Sequence, residues 1–463
     1  MVEELVNAID RARLVETCAA IVDVPAPTGY ERPGAERLVS LLDDVGLTGE
    51  LVGGDDRAAS VICFIPATGR AAGTGPSILL YSPIDTVTTG DPGDDVPQAA
   101  DVITGHLLPR GVVSADGSMV SGLGAQNPKG HAASILEAAA VLGAAPELAG
   151  EVIVAFGAGG MPTFALDGDD RPDTGHGVGV AAILDRLSAL GRPPDAAIVA
   201  KTGWFVQHEE VGLAWIDVVV RGTHTYVGAR HRLPYRNAIA DGARVVLALE
   251  EAFADGAPPV EGRAVDSRAA AASLAPQAMV GSFHGGWARM AAFTPASVSI
   301  RADVRLLPGE TGSDARQRIG TVLDGLRAED PGLDATTGVA VDIPASRTDA
   351  DHWICRAGRA AWEEMEGRPH RSPADQSGST DANIIRNRGI PTIRIGLPKV
   401  HIDGAELGFA EGMNTVDAAA MAALTEHLVR TVLNGHRTEA GQNADRTEAT
   451  SVQTTWTPKE ATT

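Results

Sequence analysis

Long apolar runs, a cysteine framework and an excess of positive charge are all missing from this 463-residue sequence. No apolar run reaches the ~18 residues that a membrane-spanning helix needs, and the acidic segment 1–10 lacks the basic start of a signal peptide. The three cysteines, Cys18, Cys63 and Cys355, are odd in number and far apart, which is typical of a reducing cytoplasm and gives no metal-binding spacing. A net charge of −22 argues against a nucleic-acid partner. We therefore expect a cytoplasmic protein without a membrane or nucleic-acid partner, and its length predicts at least two domains.

Lysine is scarce as well. The sequence has four lysines, Lys129, Lys201, Lys399 and Lys459, and every other basic residue is an arginine. A buried lysine can lose its proton, whereas an arginine cannot. The lysines of the folded part are therefore candidate functional residues.

Short apolar segments alternate with helical ones in the first part of the chain. The segments 77–82, 151–156 and 195–200 have the length and composition of buried strands. They lead into Asp85, Gly160 and Lys201, respectively. Such alternation predicts a mostly parallel α/β sheet, and ligands bind beyond the carboxyl ends of its strands. These three positions therefore mark a candidate site.

The pattern then changes to strands in which apolar and polar residues alternate. The segments 213–221 and 296–305 have this pattern, which is typical of an antiparallel sheet with one wet face. We expect an α+β domain at 212–342, inserted between two parts of the α/β domain at 1–211 and 343–435. The polar segment 436–463 is expected to be disordered.

A glycine-rich loop, Gly122–His131, opens a predicted helix at 132–142. Gly122 and Gly124 permit tight turns, and Pro128 suits a first helical turn. A loop that enters a helix in this way directs backbone N–H groups at whatever lies opposite. The loop is therefore either part of a site or an ordinary helix entry.

Several motifs together make the chain resemble the M20 family of metallopeptidases and amidohydrolases, over about residues 5–435. The segment Ser82–Val87 is similar to the first family motif, and Gly122–Gly130 is similar to the second. Further matches are Asn237-Ala238-Ile239, Gly285-Gly286, Asp303-x-Arg305, Pro308-Gly309, Ser379-Thr380-Asp381-Ala382 and Gly389-Ile390-Pro391. The resemblance implies an α/β catalytic domain with an inserted ferredoxin-like lid, hydrolysis of carbon–nitrogen bonds, and a homodimer formed through the lid.

The departures from the family pattern fall on its two-zinc site. Pro83 stands in place of a histidine ligand, and Lys201 in place of a carboxylate ligand. The other substitutions are Asn127 for the bridging aspartate, Gly160 and Met161 for a glutamate pair (general base, then ligand), Glu411 for the last histidine, and Tyr226 for the lid histidine. Zinc needs histidine, cysteine or carboxylate ligands, and a lysine cation repels it. We therefore expect no metal and no other cofactor.

Two interpretations follow from these departures. In the favoured one, the protein is a metal-independent hydrolase acting on a carbon–nitrogen bond of a small amide or cyclic amide, with Lys201 as the cation of its cleft. The alternative is an inactive relative that binds a small ligand or regulates a partner, which the missing base at Gly160 favours. The candidate catalytic residues are Asp85, Asn127, Lys129, Lys201 and Tyr226. The candidate substrate-binding residues are His131, His224, His284, Lys399 and Glu411.

Overall fold

A computed structural model describes residues 2–90, 109–161, 177–256, 273–402 and 405–437. Residues 162–176 and all but two residues of the predicted disordered tail lie outside this part of the chain.

The strands, in chain order, are β1 Gly49–Val52, β2 Ser60–Ile65, β3 Ile78–Pro83, β4 Val112–Val113, β5 Met119–Ser121, β6 Val152–Gly157, β7 Ala196–Ala200, β8 Glu209–Glu210, β9 Gly212–Arg221, β10 Ala278–Gly285, β11 Ser297–Leu306, β12 Asp334–Ile343, β13 Ser346–Arg347, β14 Thr392–Ile395, β15 His401–Ile402, β16 Ala405–Glu406 and β17 Thr415–Asp417. The α-helices are α1 Val2–Asn7, α2 Arg11–Val22, α3 Arg32–Asp44, α4 Lys129–Gly143, α5 Val178–Ala189, α6 Ala238–Phe253, α7 Gly312–Glu329, α8 Trp353–Glu366, α9 Asp381–Asn387, α10 Phe409–Met413 and α11 Ala418–Arg437.

The main sheet has six strands in the order β1-β2-β6-β3-β7-β14. The pairs β6–β3, β3–β7 and β7–β14 are parallel, while β1 and β2 add an antiparallel edge. The predicted α/β fold with a mostly parallel sheet is confirmed.

Helices cover both faces of this sheet because its central strands are apolar on both sides. In β3, Ile78 and Leu80 pack into one core together with residues of α2, α4 and α11. Leu79 and Tyr81 point the other way and pack with residues of α5 and α9. The result is a three-layer arrangement that brings the carboxyl ends of β3, β6 and β7 to one edge.

A second, four-stranded sheet has the order β10-β11-β9-β12, with all neighbours antiparallel. Its elements follow one another as β9-α6-β10-β11-α7-β12, which is the ferredoxin-like arrangement. Alternate residues of β9, from Ala214 to Val220, are buried in a separate core shared with α6 and α7. The predicted ferredoxin-like unit is therefore present. Its roles as a lid and as a dimerisation surface remain predictions.

The first helical segment of the chain is divided into α1 and α2. The side chain of Asp10 accepts hydrogen bonds from Ala12 N and Arg13 N, at 2.9 and 3.1 Å, and so begins a new helix at Arg11. None of the helices in the described ranges is long and apolar enough to cross a bilayer.

Candidate active site

The candidate site lies where β3, β6 and β7 end. Because these strands are parallel, Asp85, Gly160 and Lys201 follow neighbouring carboxyl ends and meet at one edge of the sheet. Asp85 is completely buried, Lys201 is 9% exposed, and Gly160 is partly exposed. The edge is thus reachable from solvent at Gly160.

Asp85 is bound on both of its carboxylate oxygens. Its Oδ1 accepts the N–H of Gly160 at 2.9 Å, and its Oδ2 accepts the N–H of Met161 at 2.9 Å and the hydroxyl of Thr28 at 2.7 Å. The Asp85 carboxylate therefore fixes the backbone that follows β6.

A second buried carboxyl group, Glu31, holds the same backbone one residue earlier. Its Oε1 accepts the N–H groups of Gly29 and Gly159, both at 2.9 Å. Its other oxygen is buried and has no hydrogen-bond partner among the described residues. Burial, together with the nearby charge of Asp85, raises the pKa of Glu31 to about 7. Glu31 can therefore carry a proton at neutral pH.

Asp381, the first residue of α9, completes the cluster. It is 4% exposed, and its Oδ2 accepts the hydroxyl of Tyr81 at 3.0 Å. A β-carbon added to Gly160 would lie 3.1 Å from Asp381 Oδ2 and 3.0 Å from Asp85 Oδ1. The carboxylates of Asp85 and Asp381 thus converge on the position where Gly160 has no side chain.

Burial is the main cause of the shifted pKa values in this cluster. It raises the pKa of Asp381 to about 7, an effect that the Lys201 ammonium partly offsets and the Asp85 charge reinforces. It lowers the pKa of Lys201, while the charges of Asp381 and Asp85 act in the opposite direction. Lys201 and the two aspartates are therefore close enough for their charges to interact.

A buried ion network borders Lys201. Glu210 lies 2.9 Å from Arg394 and 3.5 Å from Arg386, and it also accepts the hydroxyl of Thr380 at 2.9 Å. Glu210, Arg386 and Arg394 are all buried. The network ties β8 to β14 and to α9, and so holds Asp381 at the site.

The glycine-rich loop supplies a second wall. The N–H groups of Gln126 and Asn127 both donate to Met413 O, at 3.2 and 3.1 Å, and Asn127 Nδ2 lies 3.6 Å from Met413 Sδ. His131 Nε2 accepts the N–H of Leu397 at 3.3 Å. Burial first, and then the charge of Lys201, lower the pKa of His131 to about 3. His131 is therefore a neutral neighbour of Lys201.

Lys129 is directed away from this cluster. Its ammonium donates to Val24 O, just beyond α2, at 3.3 Å. Burial lowers its pKa to about 8, and the titratable groups beside it are Cys18 and Asp23. The Lys129 ammonium thus contacts the chain at the end of α2, and a catalytic role for Lys129 stays a prediction.

The remaining predicted site residues are exposed. In the ferredoxin-like unit, His224 and Tyr226 contact the Phe293 ring at centroid distances of 5.2 and 5.3 Å, and His284 lies on β10. Lys399 pairs with Glu406, and Glu411 lies on α10. No contact within the described ranges joins these five residues to Lys201 or Asp85.

Comparison with known proteins supplies a fold. No family model matches the sequence, and no curated protein matches it. Among solved structures, human carnosine dipeptidase 1 aligns with a TM-score of 0.67 at 13% identity, covering 94% of this chain and 99% of that one. An M20 family metallo-carboxypeptidase from Sulfolobus solfataricus gives 0.63 at 13% identity, covering 91% and 99%. The aminopeptidase PepT from Bacillus cereus gives 0.60 at 20% identity, covering 92% and 99%.

The chain has the fold of the M20 family peptidases. One of these neighbours is a metallo-carboxypeptidase by its printed description. Pro83, Gly160 and Lys201 stand at the strand ends, and a lysine ammonium repels a metal cation. Within the described ranges, no three histidine, cysteine or carboxylate side chains are arranged to hold a metal ion.

Sequence reasoning missed three members of the cluster, namely Glu31, Tyr81 and Asp381. Tyr81 was visible only as part of an apolar strand, and Asp381 only as part of a motif match. Their positions near a strand end or at a helix start are the one signal that points to them, since ligands bind beyond the carboxyl ends of parallel strands and at helix N-termini.

Proposed function

We propose that this chain is a hydrolase that cleaves a carbon–nitrogen bond of a small amide or cyclic amide, and that it does so without a metal centre. Lys201 supplies the positive charge of the site. The observation that carries the proposal is the buried Lys201 ammonium beside the paired carboxylates of Asp85 and Asp381, at the strand edge of an M20-type fold. The solved relatives with this fold include peptidases, which act on such bonds.

In this proposal the protonated Lys201 stabilises the negative charge that develops on the carbonyl oxygen of the substrate. A preformed cation in a site with little water is effective, because it needs no reorganisation as the charge develops. The charges of Asp381 and Asp85 favour the protonated lysine and oppose the effect of burial. Asp85 holds the backbone at 160–161 and so keeps the edge in shape.

A non-catalytic role as a ligand-binding protein is the second candidate. The absence of a side chain at Gly160, the position of the family's base, favours it. Binding of a small amide without release of an amine would support this alternative.

We further propose that the protein forms a homodimer through the ferredoxin-like unit. The edge strand β10 and helix α6 border a surface cavity of about 680 Å³, lined in part by Leu247, Met279 and Phe283. Leu247 is 72% exposed. A second copy pairing along β10 would cover this apolar surface.

The test of the hydrolase is an amine-release assay on N-acyl amino acids, dipeptides and cyclic amides, with and without a chelator, together with elemental analysis. We expect chelator-resistant turnover of at least one compound. The Lys201→Met variant should lower kcat/KM by about 10²–10³-fold, whereas Lys201→Arg should retain part of the activity. Arg388→Met, which changes an exposed cation, is the control. One or two bound metal ions per chain, lost together with activity, would refute metal independence.

A further inference from the structure

The carboxylates of Asp85 and Asp381 converge on one point at Gly160. Asp85 Oδ1 and Asp381 Oδ2 both lie about 3 Å from a single point, the β-carbon position of Gly160. The two oxygens are therefore no more than about 6 Å apart, close enough for the charge of one to act on the other. Paired carboxylates in one site can divide the roles of fixed anion and proton carrier.

The surroundings of the two carboxylates differ. Asp85 accepts three hydrogen bonds, two of them from the backbone that it holds. Asp381 accepts one, from Tyr81, within the described part of the chain. Asp85 is therefore committed to holding the loop, while Asp381 is the member of the pair that is left to exchange a proton.

We propose that Asp381 is the general base of this site and takes the place of the glutamate that the M20 pattern has at position 160. The inference rests on the proposed function. The point itself is closed by Pro83, whose Cβ lies 2.5 Å from it, but Gly160 beside it is partly exposed, which gives water and a substrate a route to this edge of the sheet. In this proposal the carboxylate of Asp381 supplies the function of the glutamate side chain that is missing at residue 160.

The reaction balances with these groups. Asp381 takes a proton from water as the water oxygen forms a bond to the amide carbon, and the electron pair of the carbonyl moves onto its oxygen beside Lys201. When the carbonyl re-forms, the carbon–nitrogen bond breaks and the protonated Asp381 returns its proton to the leaving nitrogen. The products are a carboxylic acid and an amine, and the site is restored.

The protonation of Asp381 suits this role. The groups that act on it are Lys201, Asp85, Tyr81 and Glu210. Burial, Asp85 and Glu210 raise its pKa, whereas Lys201 and the Tyr81 hydrogen bond lower it, and the outcome is about 7. A base is most effective when its pKa lies near the working pH.

The first test compares Asp381→Asn with the wild type on a compound that the wild type hydrolyses. We expect kcat to fall by about 10²–10⁴-fold, and the rise of kcat/KM with pH near 7 to disappear. Asparagine suits a first helical turn, and circular dichroism checks the fold. Asp185→Asn, which removes an exposed aspartate, is the matched control.

A second variant, Tyr81→Phe, gives a readout that a purely structural role would not give. Tyr81 lowers the pKa of Asp381 by hydrogen bonding, so its loss should move the rise of kcat/KM to higher pH. Infrared spectra recorded across a pH titration without substrate should show the Asp381 carboxyl group gaining and losing its proton. The band should be present in the wild type and absent from Asp381→Asn.

The outcomes separate the two proposals. An active wild type whose Asp381→Asn variant keeps its kcat and its pH profile overturns the assignment of Asp381 and leaves the hydrolase intact. An unmoved or downward-moved profile in Tyr81→Phe also overturns the assignment. A wild type that releases no amine from any compound overturns the hydrolase, and the role of Asp381 with it.

Discussion

The buried network around Glu210 permits a quantitative prediction. Its carboxylate faces Arg386 and Arg394, and all three side chains are almost wholly buried. Replacing Glu210 by glutamine keeps the shape but removes the carboxylate with which both Arg386 and Arg394 form ion pairs. Breaking a buried ion pair from one side costs about 3–5 kcal/mol, because the remaining charge stays desolvated. With an m value of roughly 3 kcal/mol/M in urea, the unfolding midpoint should fall by about 1–2 M.

An exposed ion pair of the same chain provides the control. Arg388 and Asp185 are 2.7 Å apart, with side chains 47% and 65% exposed. Pairs of this kind contribute less than about 1 kcal/mol to stability. Asp185→Asn should therefore move the urea midpoint by only a few tenths of a molar unit.

Tryptophan fluorescence during urea unfolding measures both variants, and a double variant refines the result. Combining Glu210→Gln with Arg394→Met removes one of the two uncompensated cations. The combined loss should be smaller than the sum of the two single losses, because the sites are in contact. Equal midpoints for Glu210→Gln and Asp185→Asn would refute the argument from buried charge.

Two further predictions concern pH and assembly. Folding raises the pKa of Glu31 from 4.5 to about 7, so the native state holds this proton more tightly, and the contribution of Glu31 to stability is lost as pH rises from about 4.5 to 7. Between pH 5 and 7.5 the free energy of unfolding of the wild type should fall by up to about 3 kcal/mol relative to that of Glu31→Gln. Urea titrations of both proteins at the two pH values measure the difference. The same change with pH in both proteins would contradict the prediction. The Leu247→Glu variant should convert a dimer to a monomer in light scattering, whereas Arg388→Met should not; a monomeric wild type would contradict the dimer.

The central strands could be predicted because each is a short apolar run of the required length. The predicted segment 77–82 differs from β3 by one residue at each end, and 195–200 differs from β7 by one residue at its start. The flanking strands β1 and β2 were not predicted. Their residues pair antiparallel at the edge of the sheet, and edge position depends on contacts distant in sequence.

The candidate site shows the same limit at the level of side chains. The scarcity of lysine marks Lys129 and Lys201 equally as candidates, yet their side chains lie in different surroundings. The direction of a side chain depends on the packing of its helix or strand, and composition does not carry that information. The proximity of Asp381 to Lys201 was also hidden, since 180 positions separate the two residues in the chain.

The strand order of the main sheet has a consequence for folding during synthesis on the ribosome. Strand β7 pairs with β14, Ile198 opposite Ile393, and the ferredoxin-like unit is translated between them. At ordinary elongation rates, roughly 10–40 seconds pass between the two strands. During that interval the nascent chain has an open edge at β7, and Lys201 has Asp85 but neither Asp381 nor Arg394 as a neighbour. The unfinished chain therefore presents a strand edge that is open to pairing with another chain, and the site around Lys201 is completed among the last parts of the molecule.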